Sequence, residues 1–198
     1  MSNGLSVHSC VMICPGIHEP QLTQDFLEAL QRGTTNHSSS GWTTKVLIFP
    51  TQDYPAYSPI HILEFLQNHA HQTTPVIFIS FSAGVAGAMG AAWGWEKLGG
   101  KVQALIAFDG WGVPLYGNFP IHRVSHDYFT HWSSALLGTG SESFYAEPAI
   151  EHLDLWRSPD RCTGWGLGRT TVDQAEYKKR TTAAQFVNHL LQLYQVCT

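Results

Sequence analysis

The sequence predicts an α/β fold, a three-layer α/β/α sandwich in which helices cover both faces of a mostly parallel sheet. Three observations predict it. Apolar runs of strand length alternate along the chain with segments of helical period. Runs such as Val76-Ile77-Phe78-Ile79-Ser80 show no polar alternation, as expected of strands buried on both faces. The composition agrees: 43% of the residues are apolar and only 13% charged, about half the usual charged fraction, because a doubly covered sheet consumes long uncharged stretches. A length of 198 residues suits one domain, residues 1–198, with a full core.

The elements follow in order. Val7 to Cys14 reads as a strand, ended by the turn Pro15-Gly16-Ile17-His18-Glu19-Pro20, and Leu22, Phe26, Leu27 and Leu30 recur at helical spacing. A polar loop from Thr34 to Gly41 precedes a second strand, Lys45 to Phe49, and Ile60, Leu63, Phe65 and Leu66 make a second helix. Val76 to Ser80 is a third strand, followed by a glycine-rich helix from Ala83 to Leu98. Val102 to Phe108 and Ile121 to Ser125 are the fourth and fifth strands; a helix near Tyr128 to Leu137 and a short strand near Phe144 to Ala146 come next. Gly164, Gly166 and Gly168 mark a loop, and Thr181 to Tyr194 closes the chain as an amphipathic helix.

Composition removes several function classes. With 11 Lys+Arg against 15 Asp+Glu the formal net charge is −4. Basic residues cluster only at Lys178-Lys179-Arg180, so no face suits nucleic acid. The uncharged run Val76 to Trp95 is long enough to span a bilayer, yet it opens β-branched and turns Ser/Gly/Ala-rich at Ser80, Ser82 and Gly84, which fits a strand, a sharp turn and a buried helix. No basic region precedes the first apolar segment, so no export signal is expected. Cys10, Cys14, Cys162 and Cys197 show neither a CxxC pair nor zinc spacing. Reduced structural thiols in a cytoplasmic protein with no cofactor are the expectation.

In a parallel α/β sheet, ligands sit beyond the carboxyl ends of the strands. The segment after the third strand is Ser80-Phe81-Ser82-Ala83-Gly84. It resembles the nucleophile elbow G-x-S-x-G of the α/β-hydrolase superfamily, with Ser80 in place of the first glycine, and so implies a minimal α/β-hydrolase-like fold. Positions two before and two after such a serine crowd its Cβ and the next helix, which is why small residues occupy them. The resemblance implies Ser82 as nucleophile and an oxyanion hole from the Ala83 N–H. The turn Pro15-Gly16-Ile17-His18 resembles the superfamily's oxyanion loop, implying the Ile17 N–H as second donor with His18 on the rim.

A serine needs a base, and the base an acid; the superfamily order is Ser, Asp or Glu, then His. Ser82, Asp127 and His152 come first, with Asp127 at the end of the fifth strand. Ser82 with Asp109 and His126 is a rival set, and Asp109 with His152 a third. His122 and His126 stand four apart but on a strand, about 13 Å from each other, so they cannot share one ion and no metal is expected. His69 and His71 suit a helix end. His8, His37, His61 and His189 have no functional context.

The expected activity is cleavage of a carboxylic ester or thioester through an acyl-enzyme. Tyr54, Pro55, Tyr57, Trp111, Val113, Leu115, Tyr116, Phe129 and Trp132 would wall a site for an uncharged acyl or aryl substrate. Cys162 to Gly168 reads as a surface loop or flap. Two other readings stand beside it. Ser82-x-Gly84-x-x-Gly87 followed by Asp109 imitates a dinucleotide fingerprint, though serine replaces its first glycine. A hydrolase-like binding module without chemistry is the other.

Overall fold

The protein is described here by a computed structural model covering residues 9–33, 44–138, 140–169, 175–194 and 196. Eight strands form one sheet: β1 (Cys10–Cys14), β2 (Lys45–Ile48), β3 (Val76–Phe81), β4 (Val102–Phe108), β5 (Ile121–Ser125), β6 (Glu142–Ala146), β7 (Thr163–Arg169) and β8 (Glu176–Thr182). Six helices connect or close them: α1 (Pro20–Arg32), α2 (Pro59–His69), α3 (Ala83–Lys97), α4 (Tyr128–Ala135), α5 (His152–Arg157) and α6 (Ala183–Leu193). The sheet order is β2-β1-β3-β4-β5-β6-β7-β8. Pairing is parallel from β2 to β6, and β6-β7 and β7-β8 are antiparallel. Fold class and strand order therefore agree with a mostly parallel α/β sheet.

Alternate strand residues feed two separate cores. Val11, Ile13, Ile77, Ile79, Ile106 and Phe144 pack with Phe26, Trp156 and Leu190 from α1, α5 and α6. Met12, Cys14, Phe78, Leu105 and Ala107 pack with residues of α2 and α3 such as Ile62 and Ala88. Both faces of β1 and β3 are thus buried, which explains their unbroken apolar sequence. Phe26 and Trp156 stack at 3.7 Å and 6°, and each such ring contributes about 1.5–3 kcal/mol by leaving water. The uncharged run Val76 to Trp95 divides into β3 and α3. Among the described residues no helix is long and apolar enough to cross a membrane.

The C-terminal third departs from the sequence-based expectation. Gly164, Gly166 and Gly168 lie in strand β7, not in a loop or flap. They share one face of the strand, and a Cβ at Gly164 would stand 2.0 Å from the Tyr145 carbonyl oxygen, while one at Gly166 would meet Phe186 of α6 at 3.3 Å. Close packing on that face excludes a side chain at Gly164 and leaves little room at Gly166. Strand β8, with Lys178, Lys179 and Arg180, was absent from the expected elements, as was α5. Helix α6 starts at Ala183, where Thr182 and Gln185 form a reciprocal capping box; Thr181 belongs to β8. His8, His37, Cys197 and the loop 34–41 lie outside the described residues.

The strand order places the switch point between β1 and β3. The chain leaves β1 toward β2 on one side and later returns to β3 on the other, and a crevice opens where such connections diverge. Gly16 after β1 packs against Ser82 after β3 there: a Cβ on Gly16 would stand 3.1 Å from Ser82 Cβ.

Candidate active site

Ser82 joins β3 to α3 at φ 52° and ψ −122°, a conformation that costs a non-glycine residue about 1–3 kcal/mol. Its N–H donates to the Phe108 carbonyl at 2.9 Å, which anchors the turn on β4. Gly84 permits the turn: a Cβ there would lie 2.3 Å from the Cys14 carbonyl oxygen and 2.4 Å from that of Pro15. Two residues before Ser82, the buried Ser80 hydroxyl donates to the Ile106 carbonyl, so serine satisfies itself where the elbow pattern has glycine. Helix α3 thereby begins at Ala83, whose N–H, in the first turn, has no intrahelical acceptor.

Asp109 follows β4 at φ 47°, and aspartate tolerates this left-handed region better than most residues. Its N–H donates to the Val124 carbonyl at 2.8 Å. The side chain, only 2% exposed, takes three hydrogen bonds. Oδ1 accepts the His126 backbone N–H at 3.0 Å, and Oδ2 accepts Nδ1–H of His126 at 2.9 Å and of His152 at 2.7 Å. Burial alone would raise the carboxyl pKa; the hydrogen bonds from both histidines outweigh it and hold Asp109 below the usual carboxylate value.

His152 opens α5 and lies flat on Phe81, the residue before the serine, at 4.6 Å and 23°; its side chain is 41% exposed. With Nδ1–H on Asp109, its Nε2 carries the lone pair. His126 directs its Nε2 toward Asp127 Oδ2, 3.9 Å away. The hydrogen bond to Asp109 raises the His126 pKa, burial opposing it and the charges of Asp109, Asp127 and Glu151 adding to the rise.

Ser82, Ala83, Asp109, Trp111, Val113, His126, Phe129, Thr130 and His152 line one cleft of about 460 Å3. Sequence reasoning singled out Ser82, Ala83, Asp109, Trp111, His126 and His152, and the fold brings these together. Asp127 does not reach His152. Its Oδ1 accepts the Thr130 N–H at 2.7 Å as the N-cap of α4, so the carboxylate on His152 is Asp109, the third combination raised by the sequence. The D-x-x-T pattern Asp127 to Thr130 is a helix-start signal that could have revealed this. Ile17 is in the loop after β1 with its side chain 76% exposed. His18 packs on Phe81 and Trp156, its Nδ1–H donating to the Glu19 carbonyl. Tyr54 stacks on His61 and Phe49, apart from the lining residues. Leu115 is buried in the α2–α3 core, and Thr130 is a lining residue that sequence reasoning missed.

Ser82 Oγ makes no hydrogen bond among the described residues; a nucleophile–base contact commonly tightens only as substrate arrives. Asp109, His126 and His152 also offer ligand atoms within 4.8 Å of one another. Their contacts of 2.7 and 2.9 Å are hydrogen-bond lengths, whereas two ligands of one tetrahedral zinc stand about 3.3 Å apart. Elsewhere, His69 Nδ1–H donates to the Phe65 carbonyl at the end of α2, and buried His122 pairs with the Tyr194 hydroxyl. Cys10, Cys14 and Cys162 are free and buried, and burial pushes Cys10 up to about 11. Compared with known proteins, the chain matches no protein family and no curated sequence.

Proposed function

We propose that the protein is a serine hydrolase of minimal α/β-hydrolase-like, three-layer design that transfers an acyl group from a carboxylic ester or thioester to water. One observation carries the reading: a left-handed serine between strand and helix shares a cleft with a histidine held by a buried aspartate. Ser82 Oγ attacks the carbonyl carbon while His152 Nε2 takes its proton. The oxyanion develops toward the N–H groups of Ala83 and Ile17. Collapse expels the alcohol or thiol, which leaves with the proton from His152; a water then repeats the sequence on the acyl-enzyme and frees the acid.

Asp109 is the acid because it holds the Nδ1–H of His152 and carries the negative charge that steadies the imidazolium. Trp111, Val113 and Phe129 give the cleft apolar walls, and its described lining includes no Lys or Arg to hold a phosphate, which favours an uncharged acyl or aryl group. The dinucleotide reading loses support at both of its motifs. Asp109 is already engaged by two histidines, and Gly87, whose Cβ would lie 2.5 Å from the Ala56 carbonyl oxygen, is packed against backbone rather than open to a pyrophosphate.

The test is labelling with a fluorophosphonate, in which Ser82 Oγ displaces fluoride from phosphorus. Wild type is expected to be labelled, and Ser82→Ala, His152→Ala and Asp109→Asn to lose labelling while remaining folded. A folded wild-type protein without labelling at Ser82 overturns the proposal. Saturable NAD binding by that unreactive protein would favour the nucleotide reading.

A further inference from the structure

One carboxylate oxygen, Asp109 Oδ2, accepts from two imidazoles, whereas a catalytic triad needs one. The second imidazole has a further carboxylate beyond its other nitrogen. His126 is 25% exposed against 41% for His152, and its Nε2 faces Asp127. It grips the acid at both ends, through its main-chain N–H on Oδ1 and its Nδ1–H on Oδ2. This two-point hold fixes rotation of the carboxylate about its Cβ–Cγ bond, so that Oδ2 stays turned toward His152. The far side is also fixed, since Asp127 is committed to capping α4.

We propose that His126 is a positioning residue that clamps both oxygens of Asp109, and that its charge sets how readily His152 accepts the Ser82 proton. This deepens the serine-hydrolase reading and rests on it. The groups facing His126 are Asp109 at the end of β4, Asp127 beside it in sequence, and Glu151 and His152 at the start of α5. Three of these are acids, and their pull keeps His126 protonated to higher pH than a free histidine. While His126 is cationic it neutralises Asp109 and repels a second cation on His152, whose ring centre is 5.9 Å away. When His126 loses its proton the neutral Nδ1–H still holds Oδ2, but the full charge of Asp109 becomes available to His152. Reaction at Ser82 then accelerates.

The experiment measures the fluorophosphonate labelling rate of Ser82 from pH 5 to 9 in wild type, His126→Ala and His126→Asn, with melting curves as the folding control. Asparagine places an N–H near the position of Nδ1 and does not titrate. Wild type is expected to accelerate in two steps as pH rises. His126→Ala should slow labelling by roughly 10²-fold, the usual effect of a misplaced catalytic group. His126→Asn should recover most of that loss and accelerate in a single step. Labelling of His126→Ala at the wild-type rate overturns the clamp, and a two-step profile in His126→Asn overturns the charge effect. A second measurement, NMR titration of the His126 ring in wild type and Asp109→Asn, covers misfolding of the alanine variant and separates the two proposals. A raised pKa that falls on loss of the Asp109 charge supports the clamp even if Ser82 proves unreactive, and an unmoved pKa overturns it.

Discussion

Asp109 and Asp127 flank the same imidazole, and their hydrogen bonds assign them different work. Asp109 holds two side-chain N–H groups in a nearly dry site. Asp127 holds a backbone N–H at a helix start. Removing the second should therefore cost helix stability and not chemistry. Asp127→Ala is expected to lose about 1 kcal/mol, the usual worth of an N-cap, measured by urea unfolding, with Ser82 still labelled. Asp109→Asn should slow labelling by about 10³-fold or more, since an amide donor facing Nδ1 disfavours the tautomer that leaves Nε2 free; a rapidly labelled Asp109→Asn would return the acid's role to another carboxylate. The strand–turn–helix at Ser82 was legible because it is local: a buried strand, small residues and a serine are contiguous in sequence. The carboxylate on His152 was not, because Asp109, His126 and His152 follow three successive strands, β4, β5 and β6, and meet only once the sheet has closed.

The longer helices were legible from their 3.6-residue period, and the parallel strands from short apolar runs with no polar alternation; α5, with six residues, was too short to show a period. The antiparallel edge was not legible. Glycine at alternate positions of β7 is read as a loop by composition, yet the period of two is itself a strand signal when a neighbour must come close. Space at the three positions differs, and this allows a test of the packing account. A Cβ at Gly164 would collide with the Tyr145 carbonyl oxygen at 2.0 Å, whereas at Gly166 it meets the Phe186 ring at 3.3 Å. Gly164→Ala must displace backbone and is expected to destabilise by about 3 kcal/mol, at the upper end of typical overpacking costs. Gly166→Ala asks only a small shift of a side chain and should cost under about 1 kcal/mol. Urea midpoints of the two variants measure the contrast, and equal losses would mean that strand conformation rather than contact requires these glycines.

At the scale of the whole molecule, histidines of opposite character shape stability against pH, with His122 and, less strongly, His131 lowered by burial and His126 raised. Burial pushes His122 down to about 4, with the nearby His189 adding to the effect. The folded state therefore favours neutral His122. This stabilisation is complete above the unfolded value of about 6.5 and is lost as pH falls toward 4, a difference of about 3 kcal/mol. His126 is raised instead, so its contribution is present below about 6.5 and fades as pH rises through its folded value. Asp109, held below its ordinary value, adds a further loss only at still lower pH. Unfolding free energy should accordingly peak near pH 6.5 to 7 and fall on both sides. Urea titrations at several pH values in wild type, His122→Gln and His126→Asn separate the two limbs. His122→Gln should flatten the acid limb and leave the alkaline one, and His126→Asn should do the reverse. An acid limb of wild-type steepness in His122→Gln would place the dominant proton uptake elsewhere in the molecule.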